Sequence, residues 1–362
     1  MSVSDTLDRR ALNRATLARQ HLLDRTPHRA IDVIEQLAGM QSQAPLAPYV
    51  GLWTRLRNFE AAELSTLTED RRVVRLHLMR NTVHLVSARD CLDWRTLFHP
   101  RHAADFNARF RAGLRTVDRT ALLEQAHLLL AQEPRTRGEL GRLLATHWPD
   151  ADPAALAFAV THHIALCQVP PRGLWGVGGP AAWAPVEQWL GAPLRTTPVD
   201  ALLLRYLGAF GPASVADAQV WSGLTRLAEV AERLPLRTFR TETGPTLYDL
   251  PDAPRPGADT PAPPRLLPEY DNLLLSYKDR TRVIGHDRPV PLPPGNGARA
   301  GTVLIDGWWQ GTWQIRDRTL DIETFTQIRG ADHDALLAEA AGLAAFVAPR
   351  ETYDVILRGL PG

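Results

Sequence analysis

Gln41 and Gln43 stand two residues apart in the stretch Gly39-Met40-Gln41-Ser42-Gln43-Ala44-Pro45. A side-chain amide is neutral and carries one acceptor oxygen and two donor hydrogens. Two such groups brought together can orient a water through a carbonyl and hold a base or phosphate through an NH2. Read as the end of a helix, Gln41 shares a face with Ile31, Ile34 and Ala38, and Gln43 points about 200° around. Pro45 disfavours helical backbone at Ala44, which ends the helix near this point. In an extended segment residues i and i+2 project from one side, and the two amides converge. A buried glutamine that satisfies helix-end carbonyls fits the same spacing, so the residues alone leave both readings open.

Other chemistry has little support. The chain contains no G-x-x-x-x-G-K-[ST], no G-x-G-x-x-G after a strand and no H-E-x-x-H. His162-His163 lacks the i, i+4 spacing that turns two imidazoles to one side of a helix, and reads as core or surface histidine. Cys91 and Cys167 lie far apart, which argues against a disulfide framework and a cysteine-based zinc site. No cofactor and no metal is expected.

The elements around the glutamines follow from periodicity. Leu12, Leu17, Leu22 and Leu23 mark one helix. Pro27 opens a second, with Ile31, Ile34, Leu37 and Ala38 on its face, and a third runs from Tyr49 to Leu56. Val74, Leu76 and Leu78, then Val83 and Leu85, alternate with polar residues about Arg80-Asn81, which predicts a β-hairpin. Three helices and a hairpin are the order of a winged helix.

The order returns twice. Residues 119–148 and Ala154 to Cys167 read as helices, followed by a short second wing between Val169 and Trp183. A third cycle starts at Val199, with helices over Ala201–Phe210 and Val215–Ser222 separated by Gly211-Pro212-Ala213-Ser214. Residues 251–265 contain six prolines and read as an exposed loop, with a second proline-rich stretch at 289–295. Strands are expected at Leu273–Tyr277, Arg282–Ile284, Val303–Ile305 and Trp308–Ile315, with Asp306-Gly307 as a hairpin turn. An Ala/Leu helix over 332–348 closes the chain. The predicted class is α+β, helix-rich, with three tandem winged-helix units over 1–118, 119–197 and 198–362.

The chain has 362 residues, 44% hydrophobic and 22% charged, which is ample for a core and for more than one domain. No apolar run is long enough to span a bilayer, and the N-terminus lacks the apolar stretch of a secretory signal, so a cytoplasmic protein is expected. Net charge is +1, but residues 1–120 carry 19 Arg against 13 acidic residues, which points to a basic face. Of 41 basic residues only Lys278 is lysine, a bias that GC-rich codon usage explains.

GMQSQAPLAPYVGLWTRL, LHLMRNTVHLV, PRGLWG and LLPEYDNLLLSYKDRTRVI together resemble the winged-helix DNA glycosylases of the AlkZ and YcaQ type, over nearly the whole chain. The resemblance implies three winged helices around a C-shaped, concave DNA-binding channel. It also implies excision of N7-alkylated guanine and, as in some members, unhooking of interstrand crosslinks made by alkylating natural products. The family's motif is Gln-Φ-Gln in one branch and Gln-Φ-Asp in the other; here Gln41-Ser42-Gln43 matches the first, with a small polar residue in the middle. On this reading Gln43 orients the attacking water, and Gln41 orients the deoxyribose or Gln43 itself. N7-alkylation makes guanine a ready leaving group, so two amides suffice where a carboxylate would be a stronger base.

The implied partner is double-stranded DNA carrying alkylated guanine, bound by a monomer, with no membrane contact. Arg80, Thr82 and His84 alternate along one side of the hairpin, as a groove lining, a phosphate contact or a solvated strand face. Asp271, Asn272 and Asp279 read as an internal polar network, Arg280 and Arg282 as phosphate contacts. Trp308, Trp309 and Trp313 suit either a DNA wedge or the core of a sheet. A winged-helix regulator without catalysis, or an interaction module that ignores DNA, would share much of this pattern.

Overall fold

The computed structural model describes residues 5–241, 244–285 and 300–359, and it is a mixed α+β fold. The second proline-rich stretch, 289–295, lies outside the described residues. No helix among the described residues is long and apolar enough to cross a membrane.

Three sheets organise the described residues. A six-stranded antiparallel sheet runs in the order Met40–Gln41, Val83–Ser87, Val73–His77, Leu166–Val169, Ala182–Pro185 and Arg135–Thr136. The predicted hairpin is there: Arg80 and Asn81 both take positive φ (53° and 57°), and the amide of Thr82 donates to the carbonyl of Met79. Left-handed backbone at both central residues is the twist-matching turn that hairpins prefer. Around the stretch where a second wing is expected, Leu166–Val169 pairs with Ala182–Pro185 and continues the same sheet, with Arg75 opposite Gln168 and Leu76 opposite Cys167.

A five-stranded sheet is built from Arg265–Leu267, Gly301–Ile305, Trp308–Arg316, Thr319–Thr324 and Asp354–Gly359. The Asp306-Gly307 turn forms as expected, with φ of 48° and 79°. Helix Ala331–Val347 covers this sheet and returns the chain so that its last strand runs parallel to Thr319–Thr324. A smaller sheet joins Asp5–Thr6, Arg237–Arg240 and Leu247–Asp249.

Several expected elements change. The helix expected from Ala154 to Cys167 spans Pro153–His163, and Leu166 and Cys167 already belong to a strand. The apolar run continues across that switch, so composition does not mark it. Leu273–Tyr277 and Arg282–Ile284 are not strands. Asp271 caps a short 3-10 turn at Asn272–Leu274 by accepting from the Leu273 amide, and the segment after it is buried without a ladder partner. Helix Ala30–Gln36 starts three residues after Pro27, and the third helix is Ala47–Trp53.

The first helix, Arg9–Arg19, is capped by Asp8 and ties the N-terminus to distant parts of the chain. Arg19 meets Asp249 with both partners fully buried, and Arg10 and Arg14 both reach Asp306. Trp309 and Trp313 are interior. Trp309 packs with Leu17, Leu267 and Phe325 and donates its indole N–H to Gly311, and Trp313 donates to Leu267. The cysteines are buried and free.

Helix Val215–Ser222 has a reciprocal cap: Ser214 Oγ accepts from the Asp217 amide, and Asp217 accepts from the Ser214 amide. Ser214→Ala removes one side of this cap. We expect a loss of about 1–2 kcal/mol, read as a lower urea midpoint with an unchanged m-value.

Candidate active site

The glutamines lie where the chain leaves helix Ala30–Gln36 and enters the large sheet. Ala38 and Gly39 take left-handed φ of 54° and 88°, which reverses the chain in two residues. A Cβ on Gly39 would lie 2.7 Å from Val86 Cγ1, so the turn needs glycine both for its backbone and for its close approach. The expected placement of Gln41 on a helical face is corrected: Met40 and Gln41 form an edge strand, with Met40 opposite Leu85 and Gln41 opposite His84. The extended backbone covers Met40 and Gln41, and Gln43 follows in a bend. The ladder ends with the Ser42 amide donating to the Val83 carbonyl at 2.8 Å.

Both amide oxygens turn toward the same hairpin. Gln41 Oε1 accepts from Arg80 Nη2 at 2.9 Å, and Gln43 Oε1 accepts from the Val83 amide at 3.4 Å. A guanidinium only donates, so the first contact fixes which way the Gln41 amide points and leaves its NH2 facing away. The second bond is long and leaves the Gln43 oxygen an open lone pair. Gln41 is buried and Gln43 half-buried.

Arg80 links two parts of the fold. Its Nη1 donates at 2.5 Å to the carbonyl of Trp221, in the last turn of helix Val215–Ser222, where helix carbonyls lack internal partners. Burial, then the charge of Arg280, push its pKa down to about 10, so it remains a cation at neutral pH. Its left-handed backbone is unusual for a long side chain, a cost that the turn imposes at the spot where the guanidinium meets Gln41.

His84, expected among the DNA contacts, is a correction: it stands opposite Gln41 and is fully buried. Its Nδ1 donates to the Thr82 carbonyl at 2.9 Å, and Nε2 meets no partner among the described residues. Burial, with Arg80 as the next cause, pushes its pKa down to about 3, so the ring is neutral. Thr82 is half-buried and donates to the Met79 carbonyl.

A small cavity with room for about one water borders Gln41 and brings together Gly39, Met40, Arg55, Pro268, Asp271 and Asn272. The two sequence segments that carry the motif and LLPEYDN therefore meet here. Arg55 and Asp271 form a buried ion pair through two contacts of 2.9 Å, and Asn272 donates to the Gly39 carbonyl at 3.1 Å. Asn272 Oδ1 has no partner among the described residues. The internal network expected at Asp271 and Asn272 exists, with Arg55 as its cation.

The remaining expected contacts divide. Arg280 is half-buried beside Arg80 and donates to the Tyr277 carbonyl. Arg282 is a correction: it is buried, donates to the Pro212 carbonyl at 2.8 Å and lies 4.1 Å over the Tyr277 ring, so its cation is used inside the fold. Trp309 is likewise a correction, since its ring and its N–H are both consumed in the core. Trp308 remains half-buried at the start of its strand.

Arg75 escaped the sequence reading. On an alternating strand its place, between Val74 and Leu76, reads as solvent-facing, yet it is 3% exposed and donates twice to Ser42. No spacing signal marks it, because both faces of this sheet are covered. Among the described residues no group of three His, Cys, Asp or Glu side chains has the arrangement of a metal site.

Comparison with known proteins follows the same lines. No curated protein sequence matches. The chain is similar in fold to the Streptomyces sahachiroi DNA glycosylase AlkZ, with a TM-score of 0.74 at 20% identity over 98% of this chain and 100% of that one. The family model described as DNA glycosylase AlkZ-like matches residues 34–346, a span that holds the glutamine strand, the hairpin and the Asp271 segment, and on that match the chain belongs to the AlkZ-like family of DNA glycosylases.

Proposed function

We propose that this glycosylase hydrolyses the N-glycosidic bond of N7-alkylguanine in duplex DNA, with Gln41 and Gln43 as its catalytic pair. The observation that carries the proposal is the pair of amides anchored by one hairpin, Gln41 to Arg80 and Gln43 to Val83. N7-alkylation leaves guanine cationic, so the base departs without a strong general acid. What remains is to orient water and tolerate an oxocarbenium-like sugar. Gln43, with its oxygen loosely held, accepts from the water, and Gln41, its oxygen fixed by Arg80, offers its NH2 to the sugar or to Gln43.

In this reading the three winged-helix units, 1–118, 119–197 and 198–362, surround a C-shaped channel that takes DNA as a monomer, in the cytoplasm, without a cofactor. Arg80, Arg280, Thr82 and Trp308 are the DNA-facing candidates that keep some exposure. An open channel also suits bulky lesions such as interstrand crosslinks, because the base need not enter a tight pocket.

The test is excision from a duplex carrying one N7-methylguanine, read as strand breakage after alkali, alongside the spontaneous rate. Excision well above that rate supports the proposal. Binding to undamaged duplex that falls steeply with salt, without excision of this base or of a crosslink, would favour a non-catalytic regulator.

A further inference from the structure

We propose that Arg75 is a positioning residue: from the neighbouring strand its guanidinium clamps Ser42 and thereby sets where the amides of Gln41 and Gln43 stand. The inference rests on the reading that those amides act on the substrate. Arg75 lies opposite Leu85, and Leu85 lies opposite Met40, so its side chain crosses the intervening strand to reach Ser42. There Nε donates to Ser42 Oγ and Nη2 to the Ser42 carbonyl, both at 2.8 Å.

The second bond matters most. A peptide unit is planar, so fixing the Ser42 carbonyl fixes the plane that leads into Gln43. Sheet pairing stops at the Ser42 amide, and beyond it Arg75 takes over the holding of the chain. The two bonds to Ser42 use neither glutamine side chain, which leaves the Gln41 amide with Arg80 and the Gln43 amide with Val83.

Packing alone does not account for an arginine here. Burying a cation is costly without a carboxylate, and the ionisable groups acting on Arg75 are Arg172 and Tyr49. The fold nevertheless builds a seat for it. Gly173 takes φ +96°, and a Cβ there would come 2.8 Å from Arg75 Nη1. The Gly173 carbonyl is held by the Tyr49 hydroxyl at 2.8 Å. The 172–175 turn thus closes the back of the guanidinium, whose third nitrogen has no partner among the described residues.

The test uses the full chain and two readouts. Amide hydrogen exchange over residues 40–44 needs no substrate: in Arg75→Leu it should quicken about tenfold there, with the rest of the sheet unchanged. Single-turnover excision of N7-methylguanine should fall about 10²-fold in Arg75→Leu and in Arg75→Lys, which keeps the charge but loses the fork. Duplex affinity should stay within about twofold, because the loss lies in orientation rather than binding.

Ser42→Ala removes only the Nε bond and keeps the carbonyl that Nη2 holds, so it should lose less than Arg75→Leu. With Arg75 already gone the Ser42 hydroxyl has no clamp to serve, so Ser42→Ala with Arg75→Leu should lose no more than Arg75→Leu alone. Unchanged exchange at 40–44 in Arg75→Leu overturns the clamp, as does a double variant whose loss is the product of the two single losses. Gln43→Ala in the same assay separates the causes. If it excises like wild type, the amide reading falls and the clamp's purpose falls with it. If it collapses while Arg75→Leu does not, only the clamp is wrong.

Discussion

Gln43→Ala is expected to lower single-turnover excision of N7-methylguanine by about 10²–10⁴-fold, the range over which a positioned proton acceptor contributes. The Val83 amide meets Gln43 only at 3.4 Å, a weak bond to lose, so the variant should fold normally and bind duplex nearly as well as wild type. Gln41→Ala should lose activity too, with an added penalty. It removes the acceptor of Arg80 Nη2, a half-buried donor whose loss of a partner costs about 1 kcal/mol of stability. Neither amide ionises, and Arg80 titrates only near 10, so the rate should be flat between about pH 6.5 and 8.5. Wild-type rates in both alanine variants would remove the glutamines from the mechanism.

Stability, by contrast, should depend strongly on pH below neutrality. His84 and His102 are fully buried, and burial pushes their pKa values down to about 3 and about 2. Each ring donates one N–H to a carbonyl, of Thr82 and Leu78, and leaves its other nitrogen without a partner among the described residues. In the unfolded chain both titrate near 6.5, so below that pH the unfolded state binds protons that the folded state refuses. Stability is therefore full above about pH 7 and falls as pH drops, by about 1.4 kcal/mol per pH unit for each histidine. For the two together, urea unfolding should show a loss of about 4 kcal/mol between pH 7 and pH 5. His77, pushed down to about 4 by burial and by Arg137, adds in the same direction. His84→Asn and His102→Gln each keep the N–H that donates and cannot be protonated, so the double variant should flatten the curve. Equal stability at the two pH values would contradict this account.

Local chemistry made much of the fold legible. Alternation at Val74, Leu76, Val83 and Leu85 about Arg80-Asn81 marks a hairpin because strand side chains have a period of two and the turn needs left-handed residues. Asp306-Gly307 works the same way. Leu273–Tyr277 misleads for the reason that the others succeed: LLLSY is apolar enough for a buried strand, but the Asp271 carboxylate captures the Leu273 amide and diverts the backbone. The end of helix Pro153–His163 is hidden by an apolar run that serves a helix before Ile164 and a strand after it.

At the candidate site the glutamine pair is visible in sequence, and the proline that ends the helix hints at its extended form. The partners are not. Arg80 reaching Trp221, Arg55 reaching Asp271 and Arg75 reaching Ser42 are contacts across long stretches of chain, and no local pattern encodes which arginine goes inward. With 40 arginines in the chain, residue type carries little information about place.

The sheet shared by the first two hairpins bears on how such a protein could be cut, copied or recombined. Val73–His77 is flanked on one side by its own hairpin partner and on the other by Leu166–Val169, from much later in the chain. A fragment ending near residue 118 would keep the glutamines and lose that neighbour, laying bare a strand edge made to be paired. Such an edge invites association with other chains. The glutamine strand is thus not a portable cassette: gene fusions that graft only the N-terminal helices and hairpin onto another protein would inherit a sticky sheet rather than a working site.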